Sequence, residues 1–372
     1  MADLLYQAYM RLRPIPLPPP DTFAGQTAVV TGGTSGLGFA TAVHLLRLGA
    51  AEVIISAREA ARGRDAAAQI VSEALGEGKE GRKNKPSLGQ VKVFELDMSR
   101  YDSVVAFVEK VRQIKKGTGG VDVVILNAGM IGTEYEKGPE GWEQNLQTNT
   151  LSTTLLTALL LPYLKSERAH RSSPAHMTLV GSMRYTEPDI DRWHEWATQE
   201  GGGGGGGVME HLNRPENFGS AADRYASTKL LLQYAFEELV KLARKDGDND
   251  GPPQVIMNIV CPGIVKTSLA RDYQARGGLG IRLAVAAFQG LFGKSAADGA
   301  RSYLAAVTTK EEQHGDFIQF YKSASQYKQL RQRVITSPKG QKMQAQVWGE
   351  LCQELGAKVP SFKEVVPLGA AA

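Results

Sequence analysis

The chain has 372 residues, 42% of them hydrophobic and 22% charged, and its 43 Lys and Arg against 39 Asp and Glu leave a net charge of only +4. That length suffices for one large domain or two modest ones, and that charge balance excludes a protein that grips nucleic acid chiefly by electrostatics. Two cysteines, Cys261 and Cys352, are too few for a disulfide framework, and six scattered histidines show no paired ligand spacing, so the sequence predicts a reducing, cytoplasmic setting and no structural metal.

The N-terminus lacks a basic stretch ahead of a continuous apolar run, so it does not read as a secretory signal. Leu4, Leu5, Ala8, Tyr9 and Leu12 recur at helical spacing, and Pro14, Pro16 and Pro18 to Pro20 then force an extended exit. Residues 1–22 are therefore an amphipathic, Pro-rich arm that either docks on its own chain or a subunit partner, or touches a membrane surface as a peripheral contact. The longest apolar stretches, 155–164 and 281–292, fall short of the roughly 20 residues that span a bilayer, so no transmembrane segment is expected.

From Thr27 onward short Val/Ile-rich runs alternate with helical segments, the pattern of a parallel sheet covered on both faces. Strands are predicted at 27–31, 53–56, 91–95, 121–126, 177–181, 255–260 and 317–320, with helices at 36–48, 60–75, 101–114, 142–164 and 223–243. The expected architecture is α/β, a single doubly wound (Rossmann-type) domain over 23–330 with about seven parallel strands, followed by a helical extension over 331–372. Two stretches interrupt the order. Residues 76–89, rich in Gly and Lys, read as a solvated loop. Residues 188–222 hold Trp193, His194 and Trp196 and then seven consecutive glycines, 201–207, whose backbone entropy predicts a mobile tip.

The run Thr31-Gly32-Gly33-Thr34-Ser35-Gly36-Leu37-Gly38 ends the first strand and opens the first helix. Glycines allow close backbone approach, and a helix N-terminus offers free N–H groups to a pyrophosphate, so this context points to a dinucleotide. An acidic ribose ligand is expected at the carboxyl end of the second strand. Glu52 lies at the wrong end of that strand, whereas the right end carries Ser56, Ala57 and Arg58, which suit the 2′-phosphate of NADP. An exposed and uninvolved Arg58 is the alternative. Further on, Tyr225 and Lys229 stand four residues apart in a helical segment and share a face. An ammonium beside a phenol draws its pKa from about 10 towards neutrality, which makes tyrosine a usable acid or base.

With these motifs in place, the chain resembles the short-chain dehydrogenase/reductase family from residue 23 to residue 320. The resemblance rests on the 31–38 turn, Leu96-Asp97, Asn127-Ala128-Gly129, Asn149, Gly181-Ser182, the Tyr225/Lys229 pair and Pro262-Gly263-Ile264-Val265-Lys266-Thr267, all in the family's order. It implies that Tyr225 donates the proton, that Lys229 binds the nicotinamide ribose and lowers the tyrosine pKa, that Ser182 holds the substrate oxygen, and that Asn149 anchors a helix and water relay behind Lys229. It implies as well that Asp97 contacts adenine, that Asn127, Ala128 and Gly129 line the adenosine ribose, and that Val265 and Thr267 grip the nicotinamide amide and phosphate. Ser182 as a turn serine, Asn149 as a surface amide, Thr267 as a helix cap and Cys261 as a buried structural thiol are the plainer alternatives.

Ser182 and Tyr225 lie 43 residues apart. The family usually spaces them by about a dozen, so 188–222 is an insertion beside the site. Its tryptophans are expected to serve as a substrate-side lid or partner contact, or else the segment is a neutral expansion. Leu126 and Gly181 replace an asparagine and a serine frequent in the family, as in members resembling fungal secondary-metabolite ketoreductases and the retinol-dehydrogenase-like branch. The implied function is an NADP (NADPH)-dependent oxidoreductase acting on a carbonyl or secondary alcohol. A silent NADP-binding regulator, and the same residues used for dehydration, epimerisation or reductive ring opening, are the alternatives. The apolar run 281–292 lies where the family has its substrate lid and predicts an apolar small-molecule substrate; a homo-oligomer stays open.

Overall fold

The computed structural model describes residues 13–76, 88–199, 207–245, 251–266 and 290–366. Strands β1 (Thr27–Val30), β2 (Glu52–Ala57), β3 (Gln90–Glu95), β4 (Val123–Leu126), β5 (Ala175–Val180), β6 (Val255–Val260) and β7 (Phe317–Ile318) form one sheet in the order β3-β2-β1-β4-β5-β6-β7. Every neighbouring pair is parallel. All residues of β1, β2, β4 and β6 are buried, as parallel strands covered on both faces require, whereas the edge strand β3 alternates between exposed and half-buried positions. The expected doubly wound α/β fold is thus the observed one. Strand ends differ slightly: β4 begins at Val123 rather than at 121, and β5 begins at Ala175 and stops before Gly181, where a side chain would collide with Ile259.

Helices α1 (Gly36–Arg47) and α2 (Ala60–Leu75) pack on one face of the sheet, and α3 (Tyr101–Arg112) on the other. The helix expected over 142–164 is broken into a short α4 (Gln144–Leu146), a π turn (Gln147–Leu151) and α5 (Ser152–Ser166). The break has a tertiary cause. Buried Glu143 caps α4 through the amides of Asn145 and Leu146, and the wider turn carries Asn149 against Met130 and Thr228.

The insertion folds into α6 (Ile190–Gln199) and α7 (Val208–Asn213), and then the chain enters α8 (Ala221–Leu242). After β6, α9 (Ala296–Ala306) returns to the first face, and beyond β7 come α10 (Ala324–Arg331), α11 (Pro338–Lys358) and α12 (Pro360–Val365). Helices α11 and α12 lie over α8 and α5 and bury Val347, Trp348, Leu351, Leu355 and Phe362 there. Trp193, Val208, Met209 and Leu212 of the insertion join the same core. Trp193 is only 2% exposed, and Trp196 stacks on His211 with ring centroids 3.9 Å apart. Neither ring lines the cleft described below: Trp193 belongs to the core shared with the C-terminal helices, and Trp196 packs within the insertion. Glu350 of α11 accepts from the amides of Val208 at 3.0 Å and Met209 at 2.8 Å, and a Cβ on Gly207 would strike its carboxylate.

Residues 1–12, 77–87 and 201–206 lie outside the described residues, and with them the apolar positions of the N-terminal arm, most of the 76–89 loop and most of the glycine tip. The proline segment does dock on its own chain: Ile15 is buried and its carbonyl accepts from Arg301 Nη1 of α9 at 3.2 Å. Among the described residues no helix is long and apolar enough to cross a membrane.

Trp193→Ala is expected to lower the free energy of unfolding by about 3–5 kcal/mol, the usual loss for emptying a buried tryptophan site. Chemical denaturation reads this directly, and an unchanged midpoint would restore the lid assignment.

Candidate functional site

Strand order reverses between β1 and β4, and the crevice outside their carboxyl ends is where an open parallel sheet admits a ligand. A cleft of about 530 Å³ lies there. Gly32, Thr34, Ser35, Gly36 and Leu37 line it, at the N-terminus of α1. Gly32 and Gly36 have φ of 65° and 58°, a region that favours glycine. Gly38 stands behind the turn, where a Cβ would come within 2.5 Å of the Gly32 carbonyl oxygen and 2.6 Å of Asn127 Nδ2. The turn is held from three sides. Gly32 N donates to Ser56 Oγ at 2.9 Å, Asn127 Nδ2 donates to the Thr31 carbonyl at 2.9 Å, and Ala128 N donates to Thr31 Oγ1 at 3.0 Å. Tyr303, which sequence reasoning did not single out, donates to Asn127 Oδ1 at 3.0 Å and so fixes the amide's orientation.

Glu52 sits at the amino end of β2, where it accepts from Gln90 Nε2 at 2.9 Å and pairs with Lys92 at 2.5 Å. The carboxyl end carries Ser56, committed to Gly32, and the exposed Arg58, which lines the cleft. Arg62 lines it as well from the first turn of α2. Its spacing of four from Arg58 at a helix start was the signal available in the sequence. Asp97, Asn127, Ala128 and Gly129 complete this end. Asp97 Oδ1 accepts from Ser99 N at 3.0 Å and Ser99 Oγ at 2.8 Å, so local hydrogen bonds orient its carboxylate.

At the other end of the same cleft stand Ser182, at the tip of β5, and Tyr225 and Lys229, on α8. Lys229 Nζ donates to the Val180 carbonyl at 2.8 Å and lies 5.5 Å from the centre of the Tyr225 ring. Val265 also lines the cleft, while Thr267 lies outside the described residues, as do residues 281–289 of the expected lid. Asn149 does not line it. Buried behind the wall, it accepts from Met130 N at 2.9 Å and donates to the Met130 carbonyl at 2.9 Å and to Thr228 Oγ1 at 3.1 Å, next to Lys229 in sequence. Cys261 is buried and accepts from Met183 N at 3.4 Å; burial pushes its thiol up, which favours the neutral, structural reading.

Burial pushes the Tyr225 phenol above its ordinary value, the Cys261 thiol adds to this, and the hydrogen bond with Ser182 and the Arg184 guanidinium oppose it. The Lys229 ammonium stands over the Tyr225 ring rather than at its hydroxyl, with its hydrogen bond made to the Val180 carbonyl. Desolvation pulls Lys229 itself down to about 8.

A lysine whose folded pKa lies below its unfolded value of about 10.4 costs stability. The cost is fully present below pH 8 and fades as pH rises through the unfolded pKa, because in that window the unfolded chain holds a proton that the folded chain lacks. At neutral pH it amounts to about 3 kcal/mol, offset in part by the hydrogen bond to Val180. Lys229→Met is thus expected to raise the thermal midpoint of the ligand-free protein by a few degrees at pH 7, and by less at pH 9.5. A lower midpoint at pH 7 would show that the ammonium is not desolvated.

A family model described as short chain dehydrogenase matches residues 26–173. The short chain dehydrogenase virL of Hypocrea virens is 33% identical over 347 residues, covering 92% of this chain and 89% of that protein. The short-chain dehydrogenase/reductase phmF of Phaeosphaeria nodorum is 31% identical over 337 residues, covering 91% and 88%. Among solved structures, a short-chain dehydrogenase from Sphingobium yanoikuyae in complex with NADPH superposes with a TM-score of 0.53 at 17% identity, covering 84% of this chain and 96% of that one, which is a likeness of fold. The sequence likeness runs through the strands that form the cleft and through the helix of Tyr225 alike, and it makes the chain a member of the short-chain dehydrogenase/reductase family.

Proposed function

We propose that the chain is an NADP-dependent oxidoreductase that moves a hydride between nicotinamide and a carbonyl or secondary alcohol carbon of an apolar small molecule, in the cytoplasm and within fungal secondary metabolism. One observation carries this reading: Ser182, Tyr225 and Lys229 line the same cleft as a glycine turn at a helix N-terminus. The cleft fits the cofactor, since the turn presents backbone N–H groups where a pyrophosphate needs donors and two guanidiniums, Arg58 and Arg62, stand at the end that a 2′-phosphate would occupy. Bound NADPH would supply the hydride. Tyr225 would then give its proton to the forming alkoxide. Ser182 hydrogen-bonds the same oxygen where charge develops.

Lys229 holds the nicotinamide ribose, and Asn149 keeps the loop at Met130 and the helix at Thr228 in register behind it. Asp97 would contact the adenine, Asn127, Ala128 and Gly129 would line its ribose, and Val265 and Thr267 would hold the amide and phosphate. Met130, Ile131 and Pro262 in the cleft wall, with the composition of 281–292, support an apolar substrate. The NADPH-bound structure from Sphingobium yanoikuyae supports the cofactor assignment. The narrower likeness to the retinol-dehydrogenase-like branch rests on Leu126 and Gly181 alone. Because α11 and α12 cover the shared face of α5 and α8, a homo-oligomer would use another surface.

Incubation with NADPH carrying deuterium at C4 and a panel of apolar ketones is expected to place the label on the carbinol carbon of one product. Tyr225→Phe should abolish that transfer while NADPH still binds, since the ring remains to pack. More than a few per cent of residual turnover would mean that the proton donor is another group.

Arg58→Asp and Arg62→Asp are each expected to weaken NADPH binding at least 10-fold, the scale of a lost charge-assisted hydrogen bond, and to leave NADH binding unchanged or improved. Fluorescence titration with both cofactors decides this; equal losses for the two would remove the guanidiniums from the 2′-phosphate.

A further inference from the structure

Tyr225 lies in the first turns of α8, and helix ends fray because their first four N–H groups have no partner within the helix. Ser220 caps this end by accepting from Asp223 N at 3.1 Å. Arg224, immediately before the tyrosine, leaves the helix sideways with only 1% of its surface exposed. Its Nη2 donates to the Asn217 carbonyl at 2.8 Å, the Phe218 ring centre lies 5.2 Å from the guanidinium carbon, and Nε stands 3.9 Å from Glu143 Oε2. Glu143 is itself fully buried. It accepts from Asn145 N at 2.9 Å and Leu146 N at 3.3 Å, at the head of the π turn that carries Asn149. The insertion reaches the same point, where Glu143 N donates to Asn213 Oδ1 at 2.7 Å and Asn213 Nδ2 donates to the Gly141 carbonyl at 3.1 Å.

A buried ion pair is a poor device for stability, because the desolvation of two charges generally matches their attraction, and well-packed apolar residues often serve as well. This one is not even fully hydrogen-bonded: Nε and Nη1 of Arg224 have no partner among the described residues. Its position is what sets it apart. It ties the turn of Tyr225 to the turn of Asn149 across the wall of the cleft. We propose that Arg224 and Glu143 are positioning residues that fix the direction of the Tyr225 side chain by anchoring the start of α8 to the head of the π turn. Arg224 does not line the cleft, and Glu143 borders it with its side chain fully buried. The inference rests on Tyr225 as the proton donor.

Four variants test it, Arg224→Met, Arg224→Lys, Glu143→Gln and the Arg224→Met/Glu143→Gln double, assayed well below each one's thermal midpoint beside Tyr225→Phe. Misplacement of a reacting group by about an ångström costs about 10²-fold in rate. Arg224→Met should therefore lose about that factor in kcat, with the NADPH dissociation constant within threefold of the parent. Arg224→Lys, which keeps a cation, should recover part of it. The double variant should be no slower than the slower single, since both break one link. If Tyr225→Phe keeps its turnover, the proton-donor reading falls and this inference with it. If Tyr225→Phe is inactive and Arg224→Met keeps kcat within threefold, or if kcat and NADPH affinity fall together in every variant, the positioning role alone is overturned. Should Arg224→Met fail to fold, Arg224→Lys and Glu143→Gln carry the same comparison.

Discussion

An ammonium held out of water at the carboxyl edge of β5 is the constraint on which the cleft depends. Lys229 is buried, and one backbone carbonyl, that of Val180, accepts from its ammonium. Such a group stays in place only where the neighbouring backbone cannot relax away from it. The surrounding bonds supply that rigidity. Thr228, the preceding residue, accepts from Asn149 at 3.1 Å, and its carbonyl accepts from Thr150 Oγ1 at 3.1 Å, so the π turn and α8 are laced together where the lysine emerges. Within the π turn the adjacent residues Asn149 and Thr150 both bond one neighbouring segment.

The C-terminal helix α11 extends this rigidity to the outside of the fold. Glu350 and Glu354 lie four residues apart and so share a face. Glu350 receives the amides that open α7, while Glu354 accepts from Trp142 Nε1 at 2.9 Å and from Tyr101 OH at 3.3 Å. One helix thereby holds the insertion and the approach to Glu143 in fixed relation. Beneath these bonds lies the apolar contact of α11 with α8, through which burial of Trp348, Leu351 and Leu355 supplies the favourable term that offsets charges buried nearer the cleft.

How far the sequence revealed this arrangement follows from which forces are local. The strands were legible because parallel strands buried on both faces need continuous Val and Ile runs, and the glycine turn because positive φ at Gly32 and Gly36 admits few other residues. Tyr225 and Lys229 were legible through their spacing on one helix. The direction of the ammonium was not, since its acceptor is the Val180 carbonyl, 49 residues away. The broken helix at 142–164 was hidden for a similar reason: its cause is the bonding of Asn149 to Met130 and Thr228. The packing of the insertion was hidden because its partners lie on α11, although Ile190, Trp193 and Trp196 recur at helical spacing.

Charge is distributed along the cleft according to the work each end would do. At the end of β2 the guanidiniums of Arg58 and Arg62 stay in water, where a cation keeps its full charge at little cost and can still attract an anion. Around Tyr225 the charges are buried, at considerable cost, in Lys229, Arg224 and Glu143. Exposed charges can move with their side chains, and their contribution is mainly attraction. Buried charges are fixed by the packing that surrounds them, and what they contribute is direction. A phosphate subsite tolerates the first kind, because a diffuse anion can be met from several angles. A proton transfer to one oxygen atom needs the second, since the donor must lie within hydrogen-bond reach along one line. On the proposed reading, the stability lost in burying three charges beside one tyrosine is the cost of orienting a single O–H bond.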